Sequence, residues 1–396
     1  MAILSRFGMD SICRQAGREG VIPGGNVIGT VGANPPHQEA LALVQQDYEG
    51  NESWRFDKNE LVTLQNGESR YSARVHHDWQ RSDFPAGYYS PNFTPQKEGA
   101  NTLLLTHTNH VNTDVASVTL EDDKLIEVSS TGEILWTWVA SDHIDEFGFD
   151  NDARATLQTG PGYRESVGSM DWLHLNSATY IGPNKWYDQG DERFAPENVI
   201  ISSRNSSVIA IINREGNVVW QIGPDFSRTP EEQAIGQIIG QHHAHFIPPG
   251  LPGAGNVMIF DNGGSSGYGA PNALSRSGLG IYGRSRSRVL EIDPVTLEVV
   301  WMYTSANFFS TNISGAQRLP NGNTLITEGA PGRIFEVTAD KQIVWEYMNP
   351  PSEFSTRGSN SVYRAYRIPY EWIPQLATPV EEAITTPALG DFKLPQ

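Results

Sequence analysis

Cysteine, positive charge and long apolar runs are all scarce in this sequence. The single cysteine, Cys13, excludes an internal disulfide, so packing and hydrogen bonds must hold the fold. That is compatible with the cytosol and does not exclude the periplasm. Lys and Arg number 28 against 46 Asp and Glu, a formal charge of −18. Nucleic acid, which needs clusters of Lys and Arg against its phosphates, is therefore not an expected partner. An acidic membrane surface is disfavoured for the same reason. An anionic substrate would need a local basic pocket inside the acidic shell. No apolar run approaches the ~18 residues of a membrane span. The opening residues 1–7 lack the apolar core of a signal peptide, which predicts a cytoplasmic chain. Hydrophobic content of 38% with 38 glycines and 25 prolines suits a turn-rich β protein better than a packed α/β enzyme.

What is abundant is repetition. A short strand with a small central residue recurs at Ser177-Ala178-Thr179-Tyr180, His243-Ala244-His245-Phe246, Gly315-Ala316-Gln317-Arg318 and Arg364-Ala365-Tyr366-Arg367. A second strand follows Asn101, Asn198, Asn256 and Asn323. A third carries Leu125-Ile126-Glu127-Val128 and its counterparts at 208–211, 289–292 and 334–337, and a fourth ends on Trp136, Trp220, Trp301 or Trp345. Units of four short strands at intervals of roughly 50 to 100 residues predict an all-β chain folded as a single β-propeller. Trp54 brings the countable units to five. Strands at 40–44 and 52–56 lack a first half, and 363–368 lacks successors, so ring closure by the N-terminal strands is expected. The domain reading is an irregular N-terminal arm over 1–35, a propeller over 36–370 and a surface tail over 371–396. The glycine-rich stretches 137–170 and 262–287 either hide a sixth unit or form axial loops.

Registering the repeats on one another brings polar residues to equivalent places. Two positions before the small residue lie Asn176, His242, Ser314 and Tyr363, and His76 fits the same register. His174 shares a strand face with Asn176. Six residues after the second-strand asparagine lie His107, Arg204, Asn262 and Gly329. All ten histidines precede residue 246, and eight fall at 76/77, 107/110, 174 and 242/243/245. Asp171-Trp172 and Asp261-Asn262-Gly263-Gly264 read as Asx-type turns. Glu127, Glu291 and Glu336 read as framework, and the repeated tryptophans as packing between units. Neutral imidazole is a competent nucleophile near neutral pH. An arginine presents a fork matched to sulfate, phosphate or carboxylate oxygens. Together they suit transfer of an anionic group.

His76-His77-Asp78-Trp79-Gln80-Arg81, Asp171-Trp172-Leu173-His174-Leu175-Asn176-Ser177, Ile201-Ser202-Ser203-Arg204-Asn205 and Gly240-Gln241-His242-His243-Ala244 resemble phrases of the bacterial arylsulfate sulfotransferase family. So do Phe260-Asp261-Asn262-Gly263 and Tyr363-Arg364-Ala365, in one order from about residue 40 to 370. The resemblance implies a six-bladed propeller and a ping-pong transfer from an aryl sulfate to a phenol. It implies no need of 3′-phosphoadenylyl sulfate, no required cofactor and a periplasmic location. A structural calcium ion has no support in the sequence. By the same resemblance His242 is the nucleophile, and His174, Asn176 and Arg204 hold the sulfuryl oxygens. His76 or His77 stabilises the leaving oxygen or deprotonates the acceptor, and the repeat register favours His76. His77, His107, His243, Tyr363 and Asn262 join Asn176 as candidates for substrate binding. No metal ligands are assigned, because no two histidines have the helix spacing of a metal motif, although axial imidazoles suit transition metals.

Other readings use the same residues. A polysaccharide lyase acting on a uronate would take His76, His107, His174, Tyr363 and Arg204. A non-catalytic propeller binding a protein or glycan would leave the shared repeat positions of histidines and Arg204 without a reason. Nothing in the pattern specifies an oligomeric state.

Overall fold

The computed structural model describes residues 19–34, 38–63, 67–351 and 360–380, almost all of them strand and turn. In chain order β1 (Gly20–Ile22), β2 (Asn26–Asn34), β3 (Glu39–Gln46) and β4 (Glu52–Phe56) pair as antiparallel neighbours. The hairpin β5–β6 (Glu60–Thr63, Ser69–Ser72) stands apart. Then β7 (Val75–Arg81), β8 (Thr102–His110), β9 (Leu120–Val128) and β10 (Ile134–Val139) form the next antiparallel run. A single pair, Ala40 opposite Val75, joins β3 to β7. β9 also takes β12 (Ser169–Asp171) as a parallel neighbour, with β11 (Tyr163–Arg164) outside it. These make one branched ten-stranded sheet.

Three four-stranded antiparallel sheets follow. The first holds β13 (Leu175–Tyr180), β14 (Val199–Ser203), β15 (Val208–Ile212) and β16 (Val218–Ile222). The next begins with β17 (His242–Phe246) and β18 (Val257–Asp261), passes through a separate hairpin β19–β20 (Gly264–Tyr268, Leu279–Arg284), and resumes with β21 (Arg288–Ile292) and β22 (Val299–Tyr303). The last holds β23 (Gly315–Arg318), β24 (Thr324–Glu328), β25 (Arg333–Val337) and β26 (Ile343–Met348).

The apolar runs explain the layering. β14, β15 and β18 are buried along their whole length. Because side chains alternate, each middle strand feeds two cores. Val199 and Ile201 pack with Leu103, Leu105 and Leu125 of the preceding sheet. Ile200 packs with Val257, Ile259 and Leu290 of the following one. Each such side chain contributes about 1.5–3 kcal/mol on burial. The fourth strands alternate toward solvent, and their tryptophans reach the next unit. The indole N–H of Trp54 donates to Ser130 O, Trp136 to Arg214 O, Trp220 to Pro294 O and Trp301 to Ala339 O, at 2.8–3.0 Å. A second device repeats beside them. Asn101, Asn256 and Asn323 donate to Glu127, Glu291 and Glu336. The same carboxylates take Arg214, Arg318 and Arg367. The third-strand glutamates are thus framework.

The propeller expected from the repeats is corrected by the strand pairing. No sheet among the described residues closes on itself. Residues 363–368 form no strand, and β3 pairs with β2, β4 and β7 instead of a C-terminal strand. The architecture is a series of open, mostly antiparallel sheets. The physical reason lies in 363–367, whose backbone is held partly by side chains in place of a ladder. Ala365 N–H donates to Thr327 Oγ1 at 3.0 Å and Arg367 N–H to Gln317 Oε1 at 2.7 Å. Neither long loop holds a further four-stranded unit: 137–170 contains a helix, Asn151–Gln158, with β11 and part of β12, and 262–287 contains the β19–β20 hairpin. Of the expected arm, 20–34 form β1 and β2, while 1–18 and 35 lie outside the described residues, as do Cys13 and the tail beyond 380. Among the described residues no helix is long and apolar enough to cross a membrane.

Candidate active site

β7, β13 and β17 lie side by side, linked by hydrogen bonds from the Ala178 N–H to Asp78 and from the Asn176 amide to Gln241 O. Each loses regular register near its start, between Val75 and Trp79, Leu175 and Ser177, and His242 and His245. His77, His174 and His243 have left-handed backbones, with φ of 51°, 54° and 53°. Histidine tolerates this region better than bulky or β-branched residues. A bulge re-aims side chains that simple alternation would send elsewhere.

His242 is buried. Its Nδ1 lies 2.8 Å from Asn262 Oδ1 and 3.2 Å from Gly240 O. The Asn262 amide donates to the carbonyls of Ser310 and Ile313, each at 2.9 Å, so only its oxygen faces the imidazole. Nδ1 therefore carries the proton. On the other side of the ring the Ile313 N–H donates to Nε2 at 3.2 Å, which places the lone pair there. Burial pushes this histidine well below the usual range. The charges of Arg204, His174 and Arg364 act in the same direction, against the Asn262 hydrogen bond.

His174 turns its Nδ1 to Asp171 Oδ2 at 2.6 Å. A buried carboxylate behind one nitrogen fixes the ring and leaves the other nitrogen for exchange. The Arg204 N–H donates to the His174 carbonyl at 3.1 Å, which ties the arginine to this turn. Burial lowers the Arg204 pKa, and Asp171 opposes the shift. A second arginine, Arg164 on β11, has Nη2 4.0 Å from Asp171 Oδ2 and is partly exposed. The His77 ring meets His174 edge-on at 4.8 Å and lies 5.9 Å from Tyr363. Burial pushes His77 well below the usual range, with His174 and His242 adding to it. Asn176 is buried, and its amide holds the Gln241 carbonyl at 2.7 Å, the peptide just before His242. The Asn176 carbonyl accepts the Tyr363 hydroxyl at 3.0 Å and Arg364 Nη2 at 2.6 Å.

His242, His174, His77, Arg204, Asn176, Asn262 and Tyr363 are therefore linked in one neighbourhood. His76 and His107 form a separate stack beside it. Their rings stack at 3.6 Å behind His77, against Asp123. Burial pushes His76 well below the usual range, and the charge of His107 adds to it. Burial also works against a charge on His107, but the Glu39 hydrogen bond with the charges of Glu121, Glu39 and Asp123 outweighs it and raises the pKa to about 9. His243 turns away altogether. It stacks on His245 at 4.1 Å and meets the Tyr366 hydroxyl at 3.2 Å. Two triplets among the described residues have metal-ligand spacing: His76, His107 and Asp123, and Glu39, His107 and Glu121. Reading the sequence missed Asp171, Arg164 and the Ile313 N–H as parts of the site. Asp171 was legible as a carboxylate three residues before His174, but turn chemistry explained it equally well. The Ile313 amide has no side-chain signal at all.

A family model described as Arylsulfotransferase (ASST) matches residues 78–364. No curated protein matches the chain. Similar solved structures include a protein of unknown function from Bacteroides caccae, 9% identical over 87% of this chain and 84% of that one, with TM-score 0.43. The Dos1 propeller is 10% identical over 87% and 76%, with TM-score 0.41. A virginiamycin B lyase from Staphylococcus aureus is 10% identical over 87% and 73%, with TM-score 0.36. These likenesses are too distant to bear on the chemistry.

Proposed function

The chain belongs to the arylsulfotransferase family, and on that premise we propose that it moves a sulfuryl group from an aryl sulfate to a phenol through a sulfohistidine at His242. The observation that carries this reading is the fixed tautomer of a buried imidazole, its Nδ1–H donated to the Asn262 oxygen and its lone pair on Nε2. Such a nitrogen is a nucleophile without further deprotonation. In the first half-reaction the Ile313 N–H gives up Nε2, Nε2 attacks sulfur and the S–O bond to the aryl group breaks. Its electron pair leaves on the phenolate oxygen, which takes a proton from Nε2 of His174. Asp171 stabilises both protonation states of that ring by holding its Nδ1. Arg204 and His77 face the sulfuryl oxygens, where charge stabilisation contributes most. In the second half-reaction the acceptor phenol gives its proton back to His174 as its oxygen attacks sulfur. The S–N bond breaks and its pair returns to Nε2. Asn176 acts as a positioning residue, through the peptide of Gln241. No organic cofactor is required in this sequence of steps.

The test is purified protein with 4-nitrophenyl sulfate, with and without a phenol, followed by nitrophenolate release and intact mass. Sustained release in the presence of a phenol and one added sulfuryl group on the protein in its absence, both lost in His242→Ala, are the expected results. Folded protein that neither releases nitrophenolate nor gains mass would sink the reading.

A further inference from the structure

Behind the His242 neighbourhood lies a second group of buried titratable side chains that the transfer chemistry does not use. The His76 and His107 rings stack with centroids 3.6 Å apart and planes 17° from parallel, so their edges run side by side. Both Nε2 atoms approach one oxygen: Asp123 Oδ1 is 3.4 Å from His76 and 3.7 Å from His107. All three side chains are buried. Each already uses its other heteroatom. His76 Nδ1 lies 2.7 Å from His77 Nδ1, His107 Nδ1 lies 3.1 Å from Glu39 Oε1, and Asp123 Oδ2 accepts the Leu175 N–H at 3.0 Å. His76 Nε2 and Asp123 Oδ1 are left without a hydrogen-bond partner. The two N···O separations exceed the about 2.7–3.2 Å of a hydrogen bond. An unsatisfied buried polar atom is destabilising, more so when charged.

We propose that His76 Nε2, His107 Nε2 and Asp123 Oδ1 are ligands of a divalent transition-metal ion of the zinc class. Two atoms each about 2.1 Å from one ion at a tetrahedral angle are roughly 3.4 Å apart. The two N···O separations, 3.4 and 3.7 Å, match that edge. The two imidazoles, stacked 3.6 Å apart, must splay for both in-plane Nε2 lone pairs to reach the ion. Two imidazoles and a carboxylate suit zinc, iron, cobalt or nickel and not calcium. The outer support is also built. Glu39 stands behind the His107 ring and is itself clamped by Arg74 through both oxygens, at 2.6 and 3.0 Å. A carboxylate on the second nitrogen is what orients and strengthens a ligating imidazole. The same clamp argues against the Glu39, His107 and Glu121 triplet, because Glu39 is already engaged. Metal on His76 Nε2 leaves its proton on Nδ1, donated to His77 Nδ1. His77 then carries its own proton on Nε2. This last consequence rests on the transferase reading, for it makes His77 a neutral donor toward sulfuryl oxygens; the metal site does not.

The test is to incubate the full-length protein with zinc chloride, desalt it and count zinc by mass spectrometry, with Co2+ as a spectroscopic probe in parallel. Wild type, His77→Ala and His242→Ala are expected to keep about one equivalent, and Asp123→Asn and His107→Gln less than roughly a tenth. The visible cobalt absorption is expected to vanish in Asp123→Asn. If that variant does not fold, His76→Gln takes its place, and the wild-type melting temperature is expected to fall with chelator and return with zinc. Folded wild type that keeps neither zinc nor a cobalt band overturns the proposal and leaves a buried ion-pair network. So does an equivalent of zinc retained in both Asp123→Asn and His76→Gln. Zinc stoichiometry is independent of the 4-nitrophenyl sulfate assay, so failure of either proposal is seen separately.

Discussion

In the proposed transfer the attacking nitrogen is selected by one hydrogen-bonded neighbour. Asn262 spends its amide protons on Ser310 and Ile313, so its oxygen can only accept from His242 Nδ1. Asn262→Ala is expected to lower kcat for 4-nitrophenyl sulfate by roughly 10²-fold with little change in KM. The shorter of the two contacts that hold Nδ1–H is lost, leaving the Gly240 carbonyl at 3.2 Å, and the binding groups stay. The pH profile separates this from a change of ionisation. His242 is held well below the usual range by burial, so it is already neutral at pH 6 and at pH 8. A hydrogen bond to Nδ1 favours the protonated ring, so removing it moves the pKa further down. The loss should then be equal at both pH values. A defect confined to pH 6 would count against the tautomer argument. The proximity of His242, His174 and Arg204 was legible from their matching repeat positions. The choice of His76 over His77 was not. It rested on the repeat register, which pairs His76 with His242 and carries no sign of the left-handed His77 inside an irregular strand start. His243, with φ of 53° in the corresponding position of β17, stacks on His245 and meets Tyr366.

At the scale of the element, the repeated asparagine, glutamate, arginine and tryptophan form one joint between neighbouring units. Glu291 holds Asn256 Nδ2 at 2.7 Å and Arg318 Nη2 at 2.5 Å, and the guanidinium lies 5.5 Å from the Trp301 ring. Both charged side chains are more than nine-tenths buried. Removing one partner leaves the other as an uncompensated buried charge. Glu291→Ala should cost about 3–5 kcal/mol, seen as a lower urea midpoint, while kcat per folded molecule stays unchanged. Loss of activity in folded protein would move Glu291 out of the framework. The asparagine, glutamate and tryptophan were legible because each sits at a fixed place in a short phrase. The arginine was not, since Arg214 follows a third strand whereas Arg318 and Arg367 end first-strand phrases. The sheet connectivity was not, since it turns on single long-range contacts with no local pattern. Ala40 opposite Val75 merges two runs of strands. Arg364 reaches Asp78 across 286 residues at 3.1 Å, an ion pair in place of a strand pair.

For the molecule as a whole, buried neutral histidines set how stability responds to acid. His245 is buried beside Tyr88 and His243, away from the proposed chemistry and from the proposed metal site. Burial lowers its pKa to about 3. Unfolded, it would titrate near 6.5, so below that pH the unfolded chain binds a proton the folded one refuses. Stability from His245 is thus fully present above about pH 6.5 and is lost as pH falls toward 3, at about 1.4 kcal/mol per unit. Between pH 6.5 and 5 that amounts to about 2 kcal/mol. His76, His77 and His242, all held low by burial, act with the same sign. His107, while it carries no metal, acts oppositely, its contribution present below 6.5 and lost as pH rises through about 9. Acid also relieves the net charge of −18, a stabilising effect, but at physiological salt surface charges are screened within about 8 Å. Comparing variants cancels that effect. His245→Gln should be less stable than wild type at pH 7.5, yet lose about 2 kcal/mol less between pH 7.5 and 5 in urea unfolding. Equal losses in the two proteins would mean that His245 is protonated in the fold, against the burial that holds it neutral.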